Sequence, residues 1–292
     1  PQDPRLCPYG NFHSAMTVRM PEPKGTLLGK ETTYENQYDP SLLTPIPRSL
    51  GRDAIGRHDF RGVDVWRLYE ITWLDLQGRP HYAAGELLVP ANSPNIVESK
   101  SLKLYVGSFT QTRVGDLATL SKTIERDLAA ILGAPVKTRF AELADWNCPV
   151  EKTPGVLLER ETAPEGELAF EPEPALLSLS EEENAVEETL STDQLRSLCP
   201  VTGQPDHATV VIRYRGRAWN HEALYRYLLS YRLHRGFHEQ CCEQIFHDLT
   251  EKLAPESLEV RCLFTRRGGI DISPYRSTDR DEPERIWRAM RQ

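Results

Sequence analysis

Apolar residues at Leu102, Tyr105, Val106 and Phe109 fall at i, i+3, i+4 and i+7, the spacing of one helix face. Leu224, Tyr227, Leu228 and Tyr231 repeat that spacing 122 residues later. A second helical face follows each of them: Leu120, Ile124, Leu128 and Ile131 in the first half, then Cys242, Ile245, Leu249 and Leu253 in the second. Smaller echoes run alongside. Ser108-Phe109-x-x-x-Arg113 returns as Ser230-Tyr231-x-x-x-Arg235, and Asp127-Leu128 returns as Asp248-Leu249. Strand patterns bracket the helices. Residues 63–76 and 80–90 are rich in Val, Trp, Tyr and Leu around Gln77-Gly78-Arg79, a hairpin signal, and 136–140 follow the helices. In the second half, 209–214 precede Arg215-Gly216-Arg217, while 258–265 and 270–273 flank the turn Arg266-Arg267-Gly268-Gly269. Each half reads as strands, two helices, strands. The pattern predicts an α+β fold built by tandem duplication of one unit.

Between the halves the pattern fails. Residues 151–188 hold twelve Glu, no Asp and only Lys152 and Arg160 as cations, a local charge of −10 in a chain whose net charge is −8. Pro154, Pro164, Pro172 and Pro174 interrupt this stretch, and self-repelling charge with proline opposes compaction. It predicts an interdomain linker or surface insertion, in which Leu157-Leu158 and 175–179 can dock locally. Residues 1–26 are Pro- and Gly-rich without periodicity and predict a flexible lead-in. The expected layout is therefore a lead-in over 1–26, a domain over 27–150, an acidic segment over 151–188 and a second domain over 189–292. The rest of the chain sums to +2, so net charge argues neither for nor against nucleic acid or membrane partners. The six cysteines show no CxxC pair, which suits reduced thiols in the cytoplasm better than a disulfide framework. No signal-peptide h-region opens the sequence, and no apolar run approaches spanning length.

Candidate chemistry concentrates at a few points. In Cys199-Pro200-Val201-Thr202-Gly203-Gln204-Pro205-Asp206, two prolines and a glycine constrain a loop that opens on a thiol and closes on a carboxylate. Cys199 is a candidate nucleophile and Asp206 a candidate proton donor, protonated in that role because two ionised neighbours would oppose each other. The same segment reads equally as a turn around a packed cysteine. His238-Glu239, after Gly236-Phe237, opens the second helix of the second half. A carboxylate there suits the paired N–H donors of a purine-like amidine edge, although the helix dipole favours Glu at that position anyway. Val97-Glu98-Ser99-Lys100-Ser101-Leu102-Lys103 leads into a helix whose free N–H groups and lysines make a candidate phosphate site, or simply a capped, charged helix start. Arg266-Arg267-Gly268-Gly269 sets guanidinium groups beside glycines that let a ligand approach the backbone. Gly25-Thr26-Leu27-Leu28-Gly29-Lys30-Glu31 has the wrong spacing for a P-loop, and no GxGxxG follows a predicted strand. Cys199, His207, His238, Cys241 and Cys242 offer zinc-binding atoms at no standard ligand spacing.

Taken together the segments resemble the NADPH-dependent 7-cyano-7-deazaguanine reductases, the nitrile reductases of queuosine biosynthesis, in their long two-domain form. The likeness rests on Leu28-Gly29-Lys30 with Tyr34, Tyr38-Asp39, Pro47-Arg48-Ser49-Leu50-x-Arg52-Asp53, Glu98-Ser99-Lys100-Ser101-x-Lys103-Leu104-Tyr105, the Cys199–Asp206 loop, Phe237-His238-Glu239-Gln240-Cys241 and Arg266-Arg267-Gly268-Gly269-x-Asp271-Ile272. It covers about residues 27–150 and 190–292. It departs at Ser273-Pro274-Tyr275, where Asn and Trp are expected at the first and third places, and in the acidic segment, which has no counterpart. The resemblance implies tandem tunnelling-fold (ββααββ) units and a homodimer without direct nucleic-acid or membrane contact. It implies that Cys199 attacks the nitrile of 7-cyano-7-deazaguanine to form a thioimide, that Asp206 donates a proton, and that two NADPH reduce the adduct and then the imine to the aminomethyl product. Val97, Glu98, Ser99, His238 and Glu239 would line the substrate pocket; Ser99, Lys100, Arg267 and Gly268 would meet NADPH; no metal is implied. Two other classes stay in view: a zinc-dependent cyclohydrolase of the same fold acting on a purine or pterin, and a non-catalytic purine-binding protein whose affinity would not depend on Cys199.

Overall fold

A computed structural model describes residues 35–164, 166–182 and 184–292. The lead-in over 1–26, and the Leu28-Gly29-Lys30 and Tyr34 matches, lie outside the described residues. In the first half the elements are β1 (Pro45–Pro47), α1 (Ser49–Ile55), β2 (Gly62–Leu74), β3 (Pro80–Pro90), β4 (Asn95–Val97), α2 (Ser99–Ser108), α3 (Leu117–Leu132) and β5 (Lys137–Glu142). Short pieces follow: β6 (Val150–Glu151), β7 (Val156–Leu157) and α4 (Leu158–Glu161). The second half carries β8 (Ala185–Leu198), β9 (Pro205–Arg217), α5 (His221–Leu229), α6 (His238–Leu253), β10 (Ser257–Phe264), β11 (Ile270–Ser277) and β12 (Arg288–Ala289).

Eight strands form one sheet in the order β5-β3-β2-β11-β10-β9-β8-β7, antiparallel throughout except for the β7–β8 pair. The halves meet where β11 pairs with β2, Ile272 opposite Trp66. Period-two alternation sends successive residues to opposite faces. On one face Trp66, Leu68, Leu87 and Ile272 pack with Leu102, Tyr105, Leu120, Ile124 and Leu128 of α2 and α3. On the same face of the second half, Val210, Ile212, Val260 and Phe264 pack with Leu224, Tyr227, Leu228, Ile245 and Leu249 of α5 and α6. Each such fully buried side chain contributes about 1.5–3 kcal/mol. The opposite face holds Val63, Val65 and Tyr275 against Ile286, and Leu263 with Val211 against Trp287 and Ala289 of the C-terminal segment.

The echoes seen in the sequence correspond to matching bonds. Tyr105 Oη donates to Asp127 at 2.7 Å and Tyr227 Oη to Asp248 at 2.6 Å, each tying the first helix of its half to the second. Ser108 and Ser230 hydroxyls donate to the carbonyls of Tyr105 and Tyr227. Register shifts occur in both leading strands, between Leu68 and Ile71 in β2 and between Thr192 and Leu195 in β8.

The sequence reading missed β8. Its bulge residues break the alternation, and its glutamates read as part of the acidic stretch; the expected boundary at 188–189 falls inside this strand. The acidic segment is also more ordered than charge and proline suggest. Leu158 is fully buried and Leu177 nearly so against the second core, β7 extends the sheet, and the Glu159 carboxylate accepts from the Asp193 N–H in the bulge. β9 runs on through Arg215-Gly216-Arg217, which pairs with 185–187 of β8.

Candidate functional site

A cavity of about 540 Å³ opens where segments of both halves meet. From the first half come the end of β4 and the start of α2, held by the β1–β4 pairing and by the Glu98 N–H donating to Thr44 O at 2.9 Å. From the second half come the 199–206 loop, the start of α6 and the β10–β11 turn. Val97, Glu98, Ser99, Lys100, Cys199, Asp206, His238, Glu239, Arg267 and Gly268 all line this one cavity, so every expected site residue is gathered there. Trp66, Lys103, Phe237, Thr265, Ile270 and Ile272 complete much of the wall. Trp66, Ile270 and Ile272 were missed as site residues because a strand residue at a cavity edge has the same alternation as one in the core.

The cysteine loop is tied at both ends. The Cys199 N–H donates to Gln204 O at 2.8 Å and the Gly203 N–H to Cys199 O at 2.9 Å, with Gly203 at φ 68°, where a glycine avoids strain. The Leu198 N–H donates to His234 O and the Gly236 N–H to Leu198 O, fastening the loop to the approach of α6. Burial alone would raise the Cys199 thiol, but the Thr202 hydroxyl, the Thr202 and Val201 N–H groups and Arg267 hydrogen-bond to it and together hold it below its ordinary value. Cys241 is the opposite case, fully buried, with burial pushing its thiol up to about 12.

Asp206 is the second residue of β9 and is buried. Its two carboxylate oxygens meet Arg267 Nη1 at 3.1 Å and His238 Nε2 at 3.3 Å. Gln204 Oε1 accepts from the same Arg267 nitrogen at 2.9 Å. The His238 ring stacks on Phe264 with centroids 3.9 Å apart, and its Nδ1 is buried without a hydrogen-bond partner among the described residues. Glu239 is buried, its Oε1 likewise unpartnered among the described residues; burial, reinforced by Asp64, pushes its carboxyl up to about 8. A buried acceptor left without a donor is costly and marks where a ligand donor fits.

One expectation needs correction. The N–H groups of Lys100 and Ser101 are not free for phosphate, because the Glu98 carboxylate caps α2 and accepts from both, at 2.9 and 2.7 Å. The cations at that rim are therefore Lys100 and Lys103 side chains. A Cβ on Gly268 would stand 2.8 Å from Lys103 Nζ and push that side chain's end aside, and the left-handed backbone at φ 64° favours glycine. The zinc donors do not converge. Cys241 and Cys242 are in the core, and among the described residues no group of three or more His, Cys, Asp or Glu is arranged to hold a metal ion.

The geometry defines a thiol–carboxylate pocket with a buried acceptor, Glu239, and a cationic rim. Comparisons with known proteins give the family. The family model described as "Nitrile reductase, 7-cyano-7-deazaguanine-reductase N-term" matches residues 34–140, and that of "QueF-like protein" matches 205–283. The NADPH-dependent 7-cyano-7-deazaguanine reductase of Burkholderia ambifaria (strain MC40-6) is 46% identical over 259 residues, covering 87% of this chain and 94% of its own length. That of Ralstonia nicotianae is 45% identical over 264 residues, covering 88% and 95%. The chain belongs to the NADPH-dependent 7-cyano-7-deazaguanine reductase family. The archaeosine synthase QueF-Like in its apo form aligns at 18% identity and a TM-score of 0.29, covering 33% of this chain and 95% of that one.

Proposed function

We propose that this chain reduces the nitrile of 7-cyano-7-deazaguanine to the primary amine, using NADPH, through a thioimide on Cys199. The observation that carries this reading is the convergence in one cavity of an activated thiol, an acid paired to His238 and Arg267, and an unpartnered buried Glu239. Glu239 accepts the two N–H donors of the substrate's amidine edge, and Val97 and Phe237 give the ring an apolar seat beside Glu98, Ser99 and His238. Cys199 sulfur bonds to the nitrile carbon and one C–N π bond breaks. Arg267 and His238 hold the Asp206 carboxyl in place, at 3.1 and 3.3 Å. The proton balance closes without a stored proton, since Asp206 takes the thiol proton and passes it to the nitrile nitrogen.

The cradle at Gly268, with Lys103 at its edge and Lys100 and Arg267 on the rim, fits a phosphate-bearing dinucleotide. Bound NADPH would supply the two hydrides, and solvent, relayed by Asp206, the proton that each addition puts on nitrogen. Cys199 leaves as thiol between the two reductions, taking a proton from nitrogen as the C–S bond breaks. Zinc-dependent hydrolysis is the weaker reading, because among the described residues its candidate donors form no group of three able to hold a metal ion.

We read the fold as two tunnelling-fold units within one sheet, one up to residue 150 and the other starting with β8 at 185. Support comes from the matching Tyr–Asp ties and leading-strand bulges. No helix among the described residues is long and apolar enough to cross a membrane. A cytoplasmic homodimer without direct nucleic-acid contact completes the reading, and light scattering of the purified chain tests its oligomeric part. Intact-mass measurement after mixing with 7-cyano-7-deazaguanine, without NADPH, tests the covalent step. The expected result is a gain of one substrate mass that is absent in Cys199→Ser. A gain that survives in Cys199→Ser, or none in the folded parent, overturns it.

A further inference from the structure

The motif Pro47-Arg48-Ser49-Leu50-Gly51-Arg52-Asp53 gives no side chain to the cavity wall. Its arginines turn the other way. α1 lies against α6 at Gly51, where a Cβ would stand 2.7 Å from the Gln240 side chain. Arg52 grips Glu243 with two bonds, Nε to Oε2 at 2.9 Å and Nη2 to Oε1 at 2.7 Å. Arg276 of β11 reaches the same carboxylate at 2.7 Å and donates through Nη1 to Asp64 of β2 at 2.7 Å. Arg48 donates to the other Asp64 oxygen at 2.6 Å, closing the cluster.

These five side chains are buried, and they comprise three guanidinium groups and two carboxylates, a surplus of one positive charge. A buried surplus is costly unless a countercharge stands near. Glu239 precedes Glu243 by one helical turn on α6. It is the cavity acid with an oxygen that has no hydrogen-bond partner among the described residues, and Arg48 Nη1, buried and likewise without a hydrogen bond among them, stands 3.6 Å from Glu243 Oε1.

We propose that Arg48, acting through its cluster with Arg52, Asp64, Arg276 and Glu243, is a positioning residue for substrate binding: the cluster's surplus positive charge offsets part of the cost of burying Glu239 as the carboxylate that receives the amidine edge. This rests on the substrate reading above. The groups acting on Glu239 from the packed elements are Arg48 on α1, Asp64 on β2, Arg276 on β11, and Cys241 and Glu243 on its own helix. His238 adjoins Glu239 on α6, and Glu98, Lys100, Lys103, Cys199, Asp206 and Arg267 line the rest of the cavity; all are constant among the variants compared below. Burial and Asp64 favour the neutral acid, whereas Arg48 and Arg276 favour the carboxylate. Removing Arg48 and removing Asp64 must therefore act in opposite directions, which a merely structural role would not produce.

The test is equilibrium binding of 7-cyano-7-deazaguanine to full-length protein in a Cys199→Ala background, which separates binding from adduct formation, between about pH 6 and 9. Parent affinity is expected to rise with pH and level off above about 8. Arg48→Met is expected to bind roughly tenfold more weakly at neutral pH and to move the rise upward. Asp64→Asn is expected to bind more tightly there and to move the rise downward, and it decides alone should Arg48→Met fail to fold. Glu239→Gln is expected to bind weakly at every pH. Folded Arg48 and Asp64 variants that shift the curve in the same direction, or not at all, overturn the proposal while leaving the substrate reading intact. No binding by the parent, or parent-like binding by Glu239→Gln, overturns the substrate reading and this proposal with it.

Discussion

Thr202→Val removes a hydroxyl, and with it the acceptor of the Gln204 N–H at 3.3 Å, while the backbone ties between Cys199 and Gln204 and between Gly203 and Cys199 stay. That hydroxyl is the strongest of the groups that hold the Cys199 thiol below its ordinary value, ahead of the Thr202 and Val201 N–H groups and Arg267. A hydrogen bond to a charged acceptor contributes about 1.5–3 kcal/mol when buried. Cys199 is partly exposed and Thr202 exposed, so solvent screening reduces the loss to about 1 kcal/mol. At pH values below the thiol midpoint, that loss lowers the thiolate fraction about fivefold. A more basic thiolate is also a better nucleophile, which returns part of the rate, so adduct formation at neutral pH falls only about twofold. The clean readout is the pH dependence of iodoacetamide alkylation with Cys199→Ala subtracted, because Cys148 is also partly exposed, whereas Cys241, Cys242 and Cys262 are buried. The midpoint is expected to move to higher pH, with the plateau rate preserved or raised. An unmoved or lowered midpoint in a folded variant would refute the claim that this loop activates its thiol.

Tyr227→Phe strips Asp248 of a buried donor and Tyr231 of a hydroxyl partner, and should cost about 1–3 kcal/mol in urea unfolding. Tyr105→Phe should cost less, because the Asp127 oxygen it meets keeps Tyr38 as a donor, whereas Gln244 donates only to the other Asp248 oxygen; equal losses would contradict the bonding described. Gly268→Ala, at φ 64° against Lys103, is expected to raise the KM for NADPH severalfold while leaving the KM for 7-cyano-7-deazaguanine near the parent value; the reverse split would displace the cradle. Glu239 has a folded value of about 8, above its ordinary carboxyl value, mainly through burial. The stability it contributes is complete at acid pH and is lost as pH rises toward and through about 8. Glu239→Gln should therefore gain on the parent in denaturant midpoint from pH 5 to pH 8, and a constant difference would contradict the shift.

The helices were legible because their apolar positions follow the helical period and end on recognisable caps. Asp116 closes the start of α3 and Gly133 its end; Asn220 opens α5. The β2–β3 hairpin was legible from Gln77-Gly78-Arg79, where the Asp75 carboxylate accepts from the Gln77 and Arg79 N–H groups. β8 was not, since Asp193 and Gln194 interrupt its alternation and find partners elsewhere, in Thr209 and Tyr225. No local pattern announces partners that arrive from distant strands. For the site, polar residues in constrained loops stood out individually: Cys199, Asp206, His238, Glu239, Arg267. Trp66 and Ile272 did not, because the cavity is made by the β2–β11 junction between halves, and only that pairing exposes strand residues to it. The Arg48–Asp64–Arg276–Glu243 cluster was invisible for the same reason: it joins residues up to 212 positions apart.

The central claim is nitrile reduction through Cys199. Its most direct test is NADPH absorbance after adding a known amount of 7-cyano-7-deazaguanine, with Cys199→Ala run alongside. The account predicts two NADPH oxidised per substrate, one for each hydride that turns a nitrile into an amine, and none in the variant. A folded parent that consumes no NADPH, or a Cys199→Ala protein that consumes it at the parent rate, would contradict it.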